Sequence, residues 1–152
     1  MLLRKAIDAD YDFFFYIKSE PENMYWTGHE KEPNYEQLKV WFFKQLESNV
    51  REILILEVDN NAVGYAYVDF IDAYQSIETA VAVSNKFSGL GYGSQIVSRT
   101  VHYCQENYLA KPIQAWILDD NLASIKIHEK AGYRVTNKTK DINEMKLLLY
   151  QV

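Results

Sequence analysis

Apolar positions along the chain recur with a period of two in some stretches and near 3.6 in others, and the changes between these periods predict its elements. Leu2 to Ile7 alternates as a first strand, and Asp8 or Asp10 then caps a helix on which Tyr11, Phe14, Phe15 and Lys18 share a face. Residues 19–33 hold Pro21, Gly28 and Pro33 among glutamates and the pair Tyr25-Trp26, which predicts a loop. Asn34-Tyr35-Glu36-Gln37 has the form of a capping box, and Leu38, Trp41, Phe42, Gln45 and Leu46 carry a second helix to about Ser48. Two β-branched runs, 53–58 and 63–71, flank Asp59-Asn60-Asn61 and predict an antiparallel hairpin, with 77–83 as the next strand. Beyond it the pattern gives a helix over 93–108, a strand over 113–118, a helix over 121–131, and closing strands at 133–135 and 145–150. No repeat, low-complexity run or linker interrupts this order, so residues 1–152 form one domain of mixed α/β (α+β) class.

The stretch from Val81 to Ser94 is the most informative. An apolar strand gives way to Ser88-Gly89-Leu90-Gly91-Tyr92-Gly93-Ser94 and then to a helical pattern. Alternating glycines let backbone amides turn toward a ligand, and the following helix directs the positive end of its dipole to the same place, which suits a phosphate or pyrophosphate. Downstream, Asn121, Ser124 and His128 stand at i, i+3 and i+7, on one helix face. Read locally, Asn121 is a cap, Gly132 a left-handed stop, and Ser124 and His128 solvated polar residues. That reading leaves unexplained a polar stripe following an anion cradle.

With these two motifs the chain resembles the GNAT superfamily of acyl-CoA-dependent N-acetyltransferases. One family motif is a strand, then Gln or Arg, two residues, Gly, one residue, Gly or Ala, then a helix, which Ser88 to Gly93 fits. The second, an Asn followed by a small residue and a Lys-x-Gly-Phe/Tyr ending, is met by Asn121, Ser124 and Lys130-Ala131-Gly132-Tyr133. The resemblance implies a mixed sheet of about seven strands flanked by about four helices. It also implies that the strands ending at Val83 and Leu118 splay apart around the pantetheine arm of acetyl-CoA, the acyl donor. Val81 and Val83 would then meet the pantetheine amides through their backbone, residues 88–94 the pyrophosphate, Asn121 and Ser124 the arm, and Lys130 a phosphate. The chain departs from the family twice: Ser88 replaces the usual Arg or Gln, and His128 the tyrosine that serves many members as general acid.

Acetyl transfer needs an unprotonated amine, a site for the oxyanion and a proton for the departing thiolate. A lysine-like amine with a pKa of about 10.4 is free base in roughly one molecule in 2,500 at pH 7, so a nearby carboxylate helps. Glu78, on the strand leading into the cradle, matches the position where many family members carry that glutamate; the plainer reading is a surface residue at a strand start. The oxyanion would meet a strand amide near Val81 or Val83. His128, with an ordinary imidazole pKa of about 6.5, sits near a helix C-terminus, whose dipole favours its protonated form and its use as the acid. The acceptor would be walled by the 19–33 loop with Trp26, by Tyr65, Tyr67 and Asp69, and by the turn at 140–143, acidic and aromatic groups that suit an ammonium.

Composition narrows the alternatives. The 152 residues are 48% hydrophobic with net charge −5, enough for one core and unlike a nonspecific nucleic-acid binder. No apolar run reaches the roughly 20 residues of a membrane span and Met1-Leu2-Leu3-Arg4-Lys5 lacks a signal-peptide core, from which a cytoplasmic protein is expected. Cys104, the single cysteine, shares a helix stripe with Val97, Val101 and Tyr108 and reads as packing. A Rossmann glycine pattern would be G-x-G-x-x-G, a P-loop would need a lysine after Gly93, and His29, His102 and His128 have no metal-ligand spacing. The sequence thus points to an acetyl-CoA-dependent N-acetyltransferase without a metal, acting on a primary amine of a small molecule such as a polyamine, an aminosugar or an amino-acid-like compound. A protein N-terminal or lysine acetyltransferase, or a noncatalytic acyl-CoA-binding module, are the alternatives, and a monomer or homodimer is expected.

Overall fold

The structure, a computed structural model, describes residues 1–152. Its seven strands, β1 (Leu2–Lys5), β2 (Arg51–Val58), β3 (Asn61–Ile71), β4 (Ser76–Val83), β5 (Ile113–Leu118), β6 (Arg134–Ile142) and β7 (Met145–Gln151), form one sheet in the order β1-β2-β3-β4-β5-β7-β6. All neighbours are antiparallel except β4 and β5, which makes the sheet mixed. Five helices accompany it: α1 (Tyr11–Ser19), α2 (Pro21–Trp26), α3 (Tyr35–Leu46), α4 (Tyr92–Asn107) and α5 (Leu122–Lys130), with single 3-10 turns at Asp8–Asp10 and Asn85–Phe87.

The period of two in the strands sorts their side chains onto two faces. On one face Leu54, Leu56, Val68, Ile77 and Ile117 pack with Ile96, Val97 and the buried Cys104 of α4. On the other, Ile53, Ile55, Tyr65 and Ala82 pack with Phe14 and Ile17 of α1 and Phe42 of α3. The β2–β3 hairpin closes through Asp59 and Asn60, both in the left-handed region, as the turn chemistry predicted. Asn34 caps α3 by accepting the Gln37 amide at 3.0 Å.

Several elements differ from the sequence reading. Residues 19–33 are not all loop: Pro21 opens α2, because proline is at home at the first helical position, where no amide donor is needed. Five helices therefore replace the four expected. The first strand stops at Lys5, and neither Asp8 nor Asp10 caps α1 with its side chain. The Asp10 carboxylate instead accepts the Ile7 amide and a two-point bond from Arg4 at 2.8 and 2.9 Å. β6 is three times the length expected, since its mostly exposed residues carry no apolar period and its pairing with β7 alone defines it. The turn at 140–143 shrinks to Asn143 and Glu144, and Lys140 lies in the strand with its Nζ 4.3 Å from the Trp116 ring centroid.

Candidate active site

β4 and β5 pair only at Ile77–Ile113 and Glu78–Gln114 and then diverge. The gap between them is a cavity of about 140 Å³, walled by residues 79–82 and 115–118 together with Ser124 and His128 of α5, Asn121 just before it, and Asn23 and Trp26 of α2. The Ile77 amide donates toward β5, to Pro112, and the Ser84 amide toward β3, to Val63. With a period of two, the peptide groups of Val81 and Val83 are therefore turned to the gap. One of them is partly engaged, since Asn23 Nδ2 donates to the Val83 carbonyl at 3.3 Å.

Beyond β4, Gly91 caps α4 with φ +82°, and Gly89 has φ +78°. A Cβ at either would meet nothing within 4 Å, so glycine is needed there for the left-handed backbone and not for room. Gly93 lies within the first turn of α4 and is not left-handed. The first helical bond runs from Gln95 to Gly91, and the amides of Tyr92, Gly93 and Ser94 donate to nothing in the protein. No acidic residue stands in that turn and no side chain caps it. Free amides at a dipole's positive end fit the diphosphate of an acyl-CoA, and a gap edged with peptide groups fits its amide-bearing arm.

Asn121 caps α5 by accepting the Ser124 amide at 3.2 Å and also lines the cavity, so its local and site roles coexist. His128 is only 4% exposed, with its ring edge-on to Tyr133. His128 Nδ1 lies 2.8 Å from the Ser124 carbonyl, which can only accept, so Nδ1 carries the hydrogen and Nε2 the lone pair. The expectation of a dipole-raised pKa is corrected: burial pushes the imidazole below its ordinary value, because desolvation outweighs the bond to Ser124 that opposes it.

The other predicted residues fall outside the cavity walls. Lys130 is exposed in the last turn of α5, and Ser88 is exposed where the second 3-10 turn ends. Glu78 is half-buried and accepts Gln114 Nε2 at 3.1 Å. Tyr67 and Asp69 belong to the α1–α3 face, where Asp69 is held in two-point contact by Arg51 at 2.5 and 2.8 Å and Arg51 stacks 4.4 Å from the Tyr67 ring centroid. The Asp69 carboxylate is thus already paired. Trp26 does line the cavity, brought there by α2.

Sequence reasoning missed Glu20. Its buried carboxylate accepts Ser84 Oγ at 2.9 Å, the Asn85 amide at 3.1 Å and Asn23 Nδ2 at 3.0 Å, fixing the α1–α2 corner to the end of β4. The available signal was a glutamate directly before Pro21, a helix-entry position. Thr79 and Tyr133 were missed as partners; their hydroxyls meet at 2.8 Å in the core. No group of three or more His, Cys, Asp or Glu is arranged to hold a metal ion, and no helix is long and apolar enough to cross a membrane.

A family model described as acetyltransferase (GNAT) domain matches residues 1–134, and the chain belongs to that family of acetyl-CoA-dependent N-acetyltransferases. No curated protein matches the sequence. Among solved structures, a spermidine N-acetyltransferase from Vibrio cholerae in complex with CoA and spermine superposes with TM-score 0.89 at 15% identity, covering 99% of this chain and 94% of that one. A ribosomal-protein-alanine N-acetyltransferase from Brucella melitensis gives 0.82 at 23% identity, covering 100% and 99%. An aminoglycoside acetyltransferase in complex with coenzyme A gives 0.85 at 16%, covering 99% and 92%. At these identities the likeness is one of fold.

Proposed function

We propose that the protein transfers the acetyl group of acetyl-CoA to a primary amine of a small molecule. The observation that supports this most is the divergence of β4 from β5 in a fold that also leaves the first amides of α4 free, since each suits a different part of one donor. Bound acetyl-CoA supplies a thioester carbonyl open to attack by an amine.

In this reading residues 88–94 hold the diphosphate through backbone amides, with Ser88 contributing no cation, and Val81, Val83, Asn121 and Ser124 hold the arm. An amide of β4 facing the gap receives charge that develops on the carbonyl oxygen. Glu78 is the carboxylate that takes the ammonium proton, directly or through water. His128, neutral with a lone pair on Nε2, is suited to receive a proton before it can give one, which reverses the order expected of a general acid. Trp26 forms part of the acceptor wall, whereas Tyr67 and Asp69 act from the neighbouring face.

The test is acetyl-CoA-dependent thiol release over polyamines, aminosugars, amino acids and N-terminal peptides, for wild type, Glu78→Gln and His128→Phe. Turnover on a small amine, with kcat reduced in Glu78→Gln and the KM for acetyl-CoA retained, supports the reading. Stabilisation by coenzyme A with no turnover on any acceptor supports the noncatalytic binding module, and turnover on peptides alone supports a protein acceptor.

A further inference from the structure

We propose that Lys18 is an anchor for a carboxylate on the acceptor, which makes the preferred acceptor an amine that also carries a negative charge. The inference rests on the acetyl transfer proposed above and names its substrate class.

The charged groups on the α1–α3 side of the sheet divide sharply. Glu20 is occupied by Ser84, Asn85 and Asn23, Asp69 by Arg51, and Glu78 accepts from Gln114. Asp69 is thus neutralised by Arg51, and Glu20 and Glu78 spend accepting oxygens on neutral donors of the protein. Lys18, by contrast, has no charged partner. Its Nζ lies 5.6, 5.5 and 5.3 Å from the ring centroids of Phe14, Tyr65 and Tyr67, and no carboxylate comes within 4.0 Å of it. The rings offer their electron-rich faces but no full negative charge and no strong hydrogen-bond acceptor for three N–H donors. Burial, with Arg51 nearby, pushes the amine down to about 8, the response of a cation that lacks a counter-charge. Beside it, the enclosed hydroxyl of Tyr67 has no hydrogen-bond partner.

Position links this cation to the transfer site. Tyr65 and Tyr67 stand opposite Ala82 and Ala80 on β4, and both alanines line the cavity. The tyrosine rings that Lys18 faces thus belong to the strand next to the one that edges the gap, and neighbouring strands lie about 4.8 Å apart. That placement suits an amine whose carboxylate is several bonds away, as in an ω-amino acid. Lys18 is partly accessible at the surface of the cluster, so such a group can reach it. A polyamine placed along the same path meets a fixed positive charge.

The experiment compares 6-aminohexanoate with hexylamine, which share the amine and differ in the carboxylate, and with spermidine, for wild type, Lys18→Met and Lys18→Arg. The wild type is expected to favour 6-aminohexanoate over hexylamine by about tenfold in kcat/KM, the size of one charge-assisted contact. In Lys18→Met that ratio falls to near one, and Lys18→Arg restores most of it. Thermal stabilisation by 6-acetamidohexanoate, measured without acetyl-CoA, should follow the same order. A wild-type ratio near one, a ratio that Lys18→Met leaves unaltered, or spermidine as the better acceptor overturns the proposal. Absence of thiol release from every amine overturns the acetyl-transfer reading instead, and this inference with it.

Discussion

The buried carboxylate of Glu20 accepts the Ser84 hydroxyl at 2.9 Å across 64 residues of sequence, tying the entrance of α2 to the end of β4. Both sides of the proposed site depend on it, since α2 supplies Asn23 and Trp26 and β4 supplies the strand edge. Glu20→Gln turns one accepting oxygen into an amide donor that must face either the Asn23 donor or the Ser84 and Asn85 donors. A loss of about 2 kcal/mol is expected, lowering Tm by roughly 4–8 °C, with a higher KM for acetyl-CoA. Denaturant unfolding with unchanged midpoint would remove Glu20 from this role.

His128 gives stability a specific pH dependence. Its folded pKa is below the ordinary 6.5, so near and below that pH the unfolded chain binds a proton that the folded chain resists. The stability that goes with the neutral ring is complete above about pH 6.5 and declines as pH falls toward the folded pKa. Urea midpoints at pH 7.5 and 5.0 should drop more for wild type than for His128→Gln; parallel drops would show that the ring titrates normally.

Gly64 on β3 faces the backbone of β4, where an added Cβ would stand 2.6 Å from the Ala82 carbonyl oxygen and 3.3 Å from Val83 Cα. A backbone neighbour cannot rotate aside. Gly64→Ala is expected to cost about 2–3 kcal/mol and to weaken acetyl-CoA binding by displacing the strand edge. A variant with wild-type unfolding and wild-type KM would contradict this.

Cys104 is fully buried, and burial pushes its thiol up to about 12, so almost no thiolate forms at neutral pH. Native protein should show no reaction with an aromatic disulfide reagent over the minutes of a thiol-release assay and one reacting thiol after denaturation. Rapid labelling of the native protein would indicate that the α4 core opens.

The glycine cradle, the Asn121 cap and six of the seven strand positions were legible because each rests on local chemistry: a left-handed backbone, an amide satisfied three residues away, a period of two. α2 was hidden because Pro21 reads as a breaker unless its place at a helix start is known, and the extent of β6 because exposed polar residues leave pairing with β7 as the only signal. At the site, Asn121, Ser124 and His128 line one cavity, and Trp26, expected on the acceptor side opposite the cofactor, lines it with them. Tyr67 and Asp69 lie on β3, one strand from the gap, and the Asp69 carboxylate is held by Arg51 of β2.

The sequence by itself determined the order of every element but α2, the glycine turn into α4 and the family, all set by patterns within short stretches of chain. Tertiary structure alone decided which charges are free. Glu20 and Asp69 are matched by partners from other elements, Lys18 is enclosed by rings with no counter-ion, and the proton of His128 is placed on Nδ1 by a carbonyl while burial keeps the ring neutral. Charge state depends on desolvation and on neighbours in space, and neither is encoded at any one position of the chain.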